Sequence, residues 1–107
     1  MRHYCRNPDL KEANLSRADL TRADLTDADL TGADLSEAVL TGARLIRANL
    51  TRADLSEADL TGADLTGAAL PGAILSGAKL IGAKLNGQDI EALKQAGALV
   101  PTKDEDR

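Results

Sequence analysis

Leucine stands at every fifth position from Leu10 to Leu85, and Ile90 takes the next place in the series. Alanine stands two residues before each of these leucines from Ala13 to Ala83. Sixteen leucines and fifteen alanines thus keep one register without a miss. A helix turns about 100° per residue, so a spacing of five scatters the leucines around it. A straight strand fails as well, because five is odd and successive leucines would point to opposite faces. The chain must therefore turn once in every five residues. Within each unit, Ala and Leu face one way along a short extended piece, and the residue between them faces the other.

Two residues per unit remain for a corner. The first is Ser or Thr at eleven of sixteen positions, from Ser16 to Ser76, and the second is Gly at eight, from Gly32 to Gly87. Ser and Thr bond locally at turns, and Gly accepts the positive φ of a type II turn. Pro71 brings a φ already set for a corner. Equal turns close a coil, and four sides with right-angled corners make a square of twenty residues. Residues twenty apart then stack at about 4.8 Å, so four coils make a rod about 20 Å long. The filling is uniform: the 43% apolar residues are nearly all Leu and Ala, Phe and Trp are absent, and Tyr4 is the one aromatic residue. Leu30, Leu35, Leu50, Leu55, Leu60, Ala33 and Ala53 are expected at the centre of the core.

The words "ADLTR", "ADLTD", "ADLTG" and "ANLTR" resemble the A(D/N)LXX word of the pentapeptide-repeat family, and the resemblance covers residues 9–90. It implies an all-β fold, a right-handed quadrilateral β-helix of about four coils. The Phe that many members carry at the centre of the word never occurs here. The expected organisation is an N-terminal flank or cap over 1–8, the solenoid over 9–88, a capping helix over 89–100 and a disordered tail over 101–107. In "NGQDIEALKQAGAL", Asp89 or Asn86 would cap the helix, with Ile90, Leu93 and Ala96 on one face. Tyr4 and Cys5 are expected to plug the first coil.

The net charge is −4, unevenly spread. Residues 9–64 carry twelve acids against six bases, whereas residues 65–88 carry Lys79 and Lys84 and no acid. An acidic body argues against direct nucleic-acid binding and leaves basic partners open. Cys5 is a lone cysteine, the N-terminus has no apolar leader pattern, and no run is long enough to cross a membrane. These features predict a cytoplasmic protein.

Nine of the seventeen outward positions before Leu, or before Ile90, are Asp. Asp19, Asp24, Asp29, Asp34, Asp54, Asp59 and Asp64 form the candidate acidic face for a partner. Quinolone-resistance members of the family are believed to imitate DNA towards DNA gyrase, so the resemblance implies that alternative. Twenty-residue stacking argues against it, placing Arg44 between Asp24 and Asp64, Arg17 beside Glu37 and Asp27 beside Arg47. The rod would also match only about six base pairs, whose twelve phosphates exceed its charge. No loop interrupts 9–90, whereas some specialised topoisomerase regulators project loops.

"DADLTGADLSEA" resembles the start of an EF-hand loop, but Ala38 stands where the final Glu belongs. His3 and Cys5 are too few for zinc. With one His and no charged residue in an inward slot, no catalytic triad assembles. No enzyme, cofactor or metal is expected. The outward Val39 and Ile46 stand singly. Ile74 and Ile81 lie near Ala69, Pro71, Lys79 and Lys84, and with Ile90 and Leu93 form the candidate cap or dimer contact. The expected covering is the C-terminal helix or a second subunit, giving a monomer or a homodimer through the C-terminal end. The function expected is a non-enzymatic protein-binding scaffold, with modulation of gyrase as the alternative.

Overall fold

The computed structural model describes residues 8–100. Tyr4 and Cys5, expected as a plug, and the tail over 101–107, expected to be disordered, lie outside the described residues. Each corner closes with the alanine N–H donating to the carbonyl of the leucine three residues earlier, as from Ala33 to Leu30 at 3.0 Å and from Ala63 to Leu60 at 2.9 Å. The second corner residue takes φ between 58° and 85°, the left-handed value that a type II turn requires. Glycine meets that demand at Gly32, at Gly42 and at every corner from Gly62 to Gly87. Glu12, Arg17, Arg22, Asp27, Glu37, Arg47, Arg52 and Glu57 meet it with a side chain.

Successive coils pair in parallel with a spacing of twenty. Asp9 bridges to Asp29, Asp29 to Asn49 and Asn49 to Ala69. Leu30 donates its N–H to the Asn49 carbonyl at 2.7 Å, and Asn49 donates to the Ala28 carbonyl at 2.9 Å. Each side is one bridge residue long, because a corner follows immediately. The bridges define four faces: face 1 stacks Asp9, Asp29, Asn49 and Ala69, and face 2 stacks Asn14, Asp34, Asp54 and Ile74. Face 3 stacks Asp19, Val39, Asp59, Lys79 and Leu99, and face 4 stacks Asp24, Arg44, Asp64 and Lys84.

Inward leucines and alanines fill the square. Leu30, Leu35, Leu50, Leu55, Leu60, Ala33 and Ala53 are all 0% exposed. Leu10, Leu15 and Leu20, in the first coil, are only partly buried. No buried polar or charged residue occurs among the described residues.

The C-terminal helix α1 runs over Ile90–Gln95, shorter than the expected 89–100. Asp89 is its N-cap, accepting the Ala92 N–H at 3.2 Å. Gly97, at φ 94°, follows the helix, and the repeat then resumes. Ala98 and Val100 are buried in the Ala and Leu slots, while Leu99 bridges to Lys79 from the outward slot. The segment containing α1 thus replaces sides of the coil without disturbing its twenty-residue register. A helix of under two turns presents little surface to the core end. Accordingly Leu93 is buried, whereas Ile90 and Ala96 are exposed instead of sharing its buried face. Gln88, standing in an Ala slot, donates its side-chain amide to the Ala68 carbonyl at 2.8 Å and the Leu65 carbonyl at 3.0 Å.

Candidate functional site

The outward Asp and Asn residues belong first to the turns. Asp19, Asp24, Asp29, Asp34, Asp54, Asp59, Asp64, Asn14 and Asn49 each accept, through Oδ1, the backbone N–H of the Ser or Thr two residues on. The same oxygen accepts that residue's hydroxyl, as from Thr21 to Asp19 at 2.6 Å and from Ser36 to Asp34 at 2.6 Å. This Asx turn fixes the chain as it enters the corner. Sequence reasoning treated the two slots separately and missed it, although the signal is present. Arg44, Ala69, Lys79 and Lys84 are followed by Ile46, Pro71, Ile81 and Asn86, none of them Ser or Thr.

These bonds favour the charged form of the carboxylates. The hydroxyl of the following Ser or Thr, then its N–H, lowers the pKa of Asp19, Asp24, Asp29, Asp34, Asp59 and Asp64. Asp27 is lowered by its hydrogen bond from Arg47. Arg47 pairs with Asp27 at 2.9 Å and Arg17 with Glu37 at 3.0 Å, each across one coil.

The seven candidate aspartates do not share one face. Asp29 lies on face 1, Asp34 and Asp54 on face 2, Asp19 and Asp59 on face 3, and Asp24 and Asp64 on face 4. Each five-residue step turns the outward slot through a corner, so neighbours in sequence look in different directions. Val39 further separates Asp19 from Asp59, and Arg44 separates Asp24 from Asp64. The structure instead gathers an acidic ridge along the corner between faces 2 and 3. Asp34 and Asp54 lie on one side of it, Glu37 and Glu57 stack along it, and Asp59 lies beyond. The two glutamates were not singled out from sequence; their separation of twenty is the signal.

The apolar candidates part company as well. Ile74 on face 2 and Ile81 at the corner between faces 3 and 4 are 49% and 46% exposed, so α1 covers neither. Its single buried residue, Leu93, reaches the core end instead. Val39 is exposed and Ile46 half-buried. The EF-hand-like stretch is committed elsewhere: Asp27 is held by Arg47, and Asp29 by Thr31. Among the described residues, no group of His, Cys, Asp and Glu could hold a metal ion, and no helix is long and apolar enough to cross a membrane.

A family model described as pentapeptide repeats matches residues 4–36, 33–70 and 48–87, with eight copies. The chain belongs to the pentapeptide repeat family. Its fold is that family's right-handed β-helix. A crystal structure of a pentapeptide repeat protein from the Arabidopsis thaliana thylakoid lumen is 37% identical, with a TM-score of 0.58 over 95% of this chain and 73% of that one. Another from Nostoc PCC 7120 is 33% identical, with a TM-score of 0.41 over 87% of this chain and 84% of its own. QnrB1, a plasmid-mediated fluoroquinolone resistance protein, is 19% identical, with a TM-score of 0.35 over 92% and 80% of the two chains. No curated protein matches the chain.

Proposed function

We propose that this pentapeptide repeat protein is a non-enzymatic protein-binding module whose acidic ridge receives a basic segment of a partner. The ridge carries the proposal. Asp34, Glu37, Asp54, Glu57 and Asp59 stand on the bridge ladder, with Arg17 paired to Glu37 and Lys79 stacked next to Asp59. Asp34, Asp54 and Asp59, held by Asx turns, lose little freedom on binding, which favours recognition by a preformed surface. The interior supports the non-enzymatic part, since the buried side chains are apolar.

Converting Asp34, Asp54 and Asp59 to Asn, with Glu37 and Glu57 to Gln, tests the reading. Asn14 and Asn49 already make the same turns, so the fold should survive. Affinity capture with the parent should yield a partner bound stoichiometrically, with the five-fold variant losing it and salt weakening it. Equal capture by both proteins would defeat the ridge as the contact. The same ridge supports a second reading, a DNA-like surface acting on a type II topoisomerase. Inhibition of gyrase supercoiling by the parent and not by the variant would select it; Arg44 and Lys84, interleaved with Asp24 and Asp64 on face 4, argue against it.

A further inference from the structure

Face 4 differs from the other three in the order of its charges. Its column reads Asp24, Arg44, Asp64, Lys84 from the first coil to the fourth. Inverted and laid against itself, that column matches at every level: Asp24 meets Lys84 and Arg44 meets Asp64, each twice. Inverting face 2 sets Asp34 against Asp54, and inverting face 1 sets Asp29 against Asn49. On face 3 the same operation, with Asp19 set against Lys79, puts Val39 against Asp59.

We infer that face 4 is a self-association surface, through which two copies of this chain pack face to face with antiparallel rods. The two-fold axis lies in the interface, across the rods between the levels of Arg44 and Asp64, so the contact closes on itself. Sheets packed face to face stand about 10 Å apart, a gap that an Arg or Lys opposite an Asp can span. The flanking corners fit the same operation. Arg22 comes opposite Gly82, Asp27 opposite Gly87 and Arg47 opposite Gly67, so each long corner side chain faces a residue without one.

The basic groups are available for this contact. Among the described residues, Arg17 and Arg47 are engaged in ion pairs within 4.0 Å, whereas neither Arg44 nor Lys84 is. Arg44, Lys84 and Asp24 are exposed, and Asp64 is partly so. Asp24 and Asp64 spend Oδ1 on Thr26 and Thr66, which leaves Oδ2 to face a partner. Four levels of one face cover roughly 400 Å² per subunit, at the low end for a specific interface, so the dimer is weak and salt-sensitive. Face 2 lies on the opposite side of the square. The acidic ridge therefore stays open in the dimer, and this association stands or falls independently of the ridge's partner.

Sedimentation equilibrium of the full chain, at protein concentrations up to about 1 mM and at low and moderate salt, reads the association. The parent should dimerise and dissociate as salt rises. Arg44→Asp sets like charges together twice and should raise the apparent dissociation constant at least about tenfold. Lys84→Asp should do the same through Asp24, and it leaves the Asx turns untouched. Arg44→Asp with Asp64→Arg is the deciding variant. It restores opposite charges across an antiparallel dimer, while it places Asp24 beside an acid and Lys84 beside a base within one chain. Position 64 tolerates Arg because positions 44 and 84 carry Arg and Lys in the same slot. Recovery of the dimer supports the inference. A monomeric parent, a dimer unaffected by Arg44→Asp, or a double variant that stays monomeric would each overturn it, with far-UV circular dichroism confirming that every variant is folded.

Discussion

Replacing Arg22, Arg52 and Glu57 by glycine should stabilise this protein. All three occupy the second corner position at φ of 59° or 60°, and none is in an ion pair among the described residues. Holding an L-residue in the left-handed region costs about 1–2 kcal/mol. Glycine removes that cost but loses about 0.5–1 kcal/mol through the greater freedom of its unfolded chain. The stems of Arg22 and Arg52 also lie over Gly42 and Gly72, and that contact disappears. The net gain is about 0.5–1 kcal/mol per site. The three sites share no partner, so the gains should add to roughly 2 kcal/mol. A midpoint shift of about 4–8 °C per kcal/mol turns this into a rise of roughly 8–16 °C. Thermal melts and urea titrations measure it, and an unchanged m-value shows that the same structure unfolds. Gly62→Ala provides the opposite sign: an added Cβ meets nothing nearer than 4.0 Å, yet φ is 71°, so it should lose about 1 kcal/mol. A triple variant no more stable than the parent would refute the reasoning, showing that the corners are unstrained or that the charged stems contribute as much as the strain costs.

Four further outcomes follow from the same geometry. Leu50→Ala, at a wholly buried central position, should cost about 3–5 kcal/mol in chemical denaturation, whereas Leu10→Ala in the half-open first coil should cost about 1. Leu50→Asp should leave no cooperative melt, since its carboxylate would have no partner in an apolar core. Asp54→Asn should be nearly neutral because Asn makes the same turn; Asp54→Ala, which abandons the Ser56 N–H and hydroxyl, should cost about 1 kcal/mol. Stability should also fall in acid. Asp24, Asp34, Asp59 and Asp64 have folded pKa values below the ordinary carboxylate, so their contribution is complete above about pH 4 and lost as pH falls through the folded values. A variant with these four as Asn should show a shallower drop in melting temperature between about pH 5 and pH 2 than the parent.

The repeat made most of the fold legible. A period of five excludes helix and strand, and the Leu and Ala register identifies the buried positions without reference to a structure. The square coil also places Arg17 against Glu37 and Asp27 against Arg47, as found. What escaped lies where positions act together. The Asx turn joins an outward slot to the next corner, and each slot alone gives an adequate but different account of its residue. Ala98, Leu99 and Val100 escaped because the helical periodicity of "IEALKQ" masks a repeat resuming in register beyond it. The single acidic face was an error of direction: a list of aspartates carries no angle, and consecutive outward slots turn with the coil.

The same separation of roles indicates where this protein's specificity can reside. Inward slots are nearly invariant, because Leu and Ala fill a square of fixed size, and most outward Asp, Ser and Thr residues are committed to the corners. Other positions escape both duties. Val39, Arg44, Ala69, Ile74, Lys79 and Lys84 give up the Asx turn in the outward slot, while Glu12, Arg17, Arg22, Asp27, Glu37, Arg47, Arg52 and Glu57 accept a strained corner where glycine would be easier. Glu37 and Arg47 recover part of that cost in ion pairs with Arg17 and Asp27, whereas among the described residues Arg44, Arg52, Glu57 and Lys84 make no ion pair that would account for their place. Arg44 and Lys84 impose the charge order of face 4, and Glu37 and Glu57 complete the ridge between faces 2 and 3. On the function proposed above, recognition by this rod rests on its departures from the five-residue word, and the word itself accounts for the scaffold.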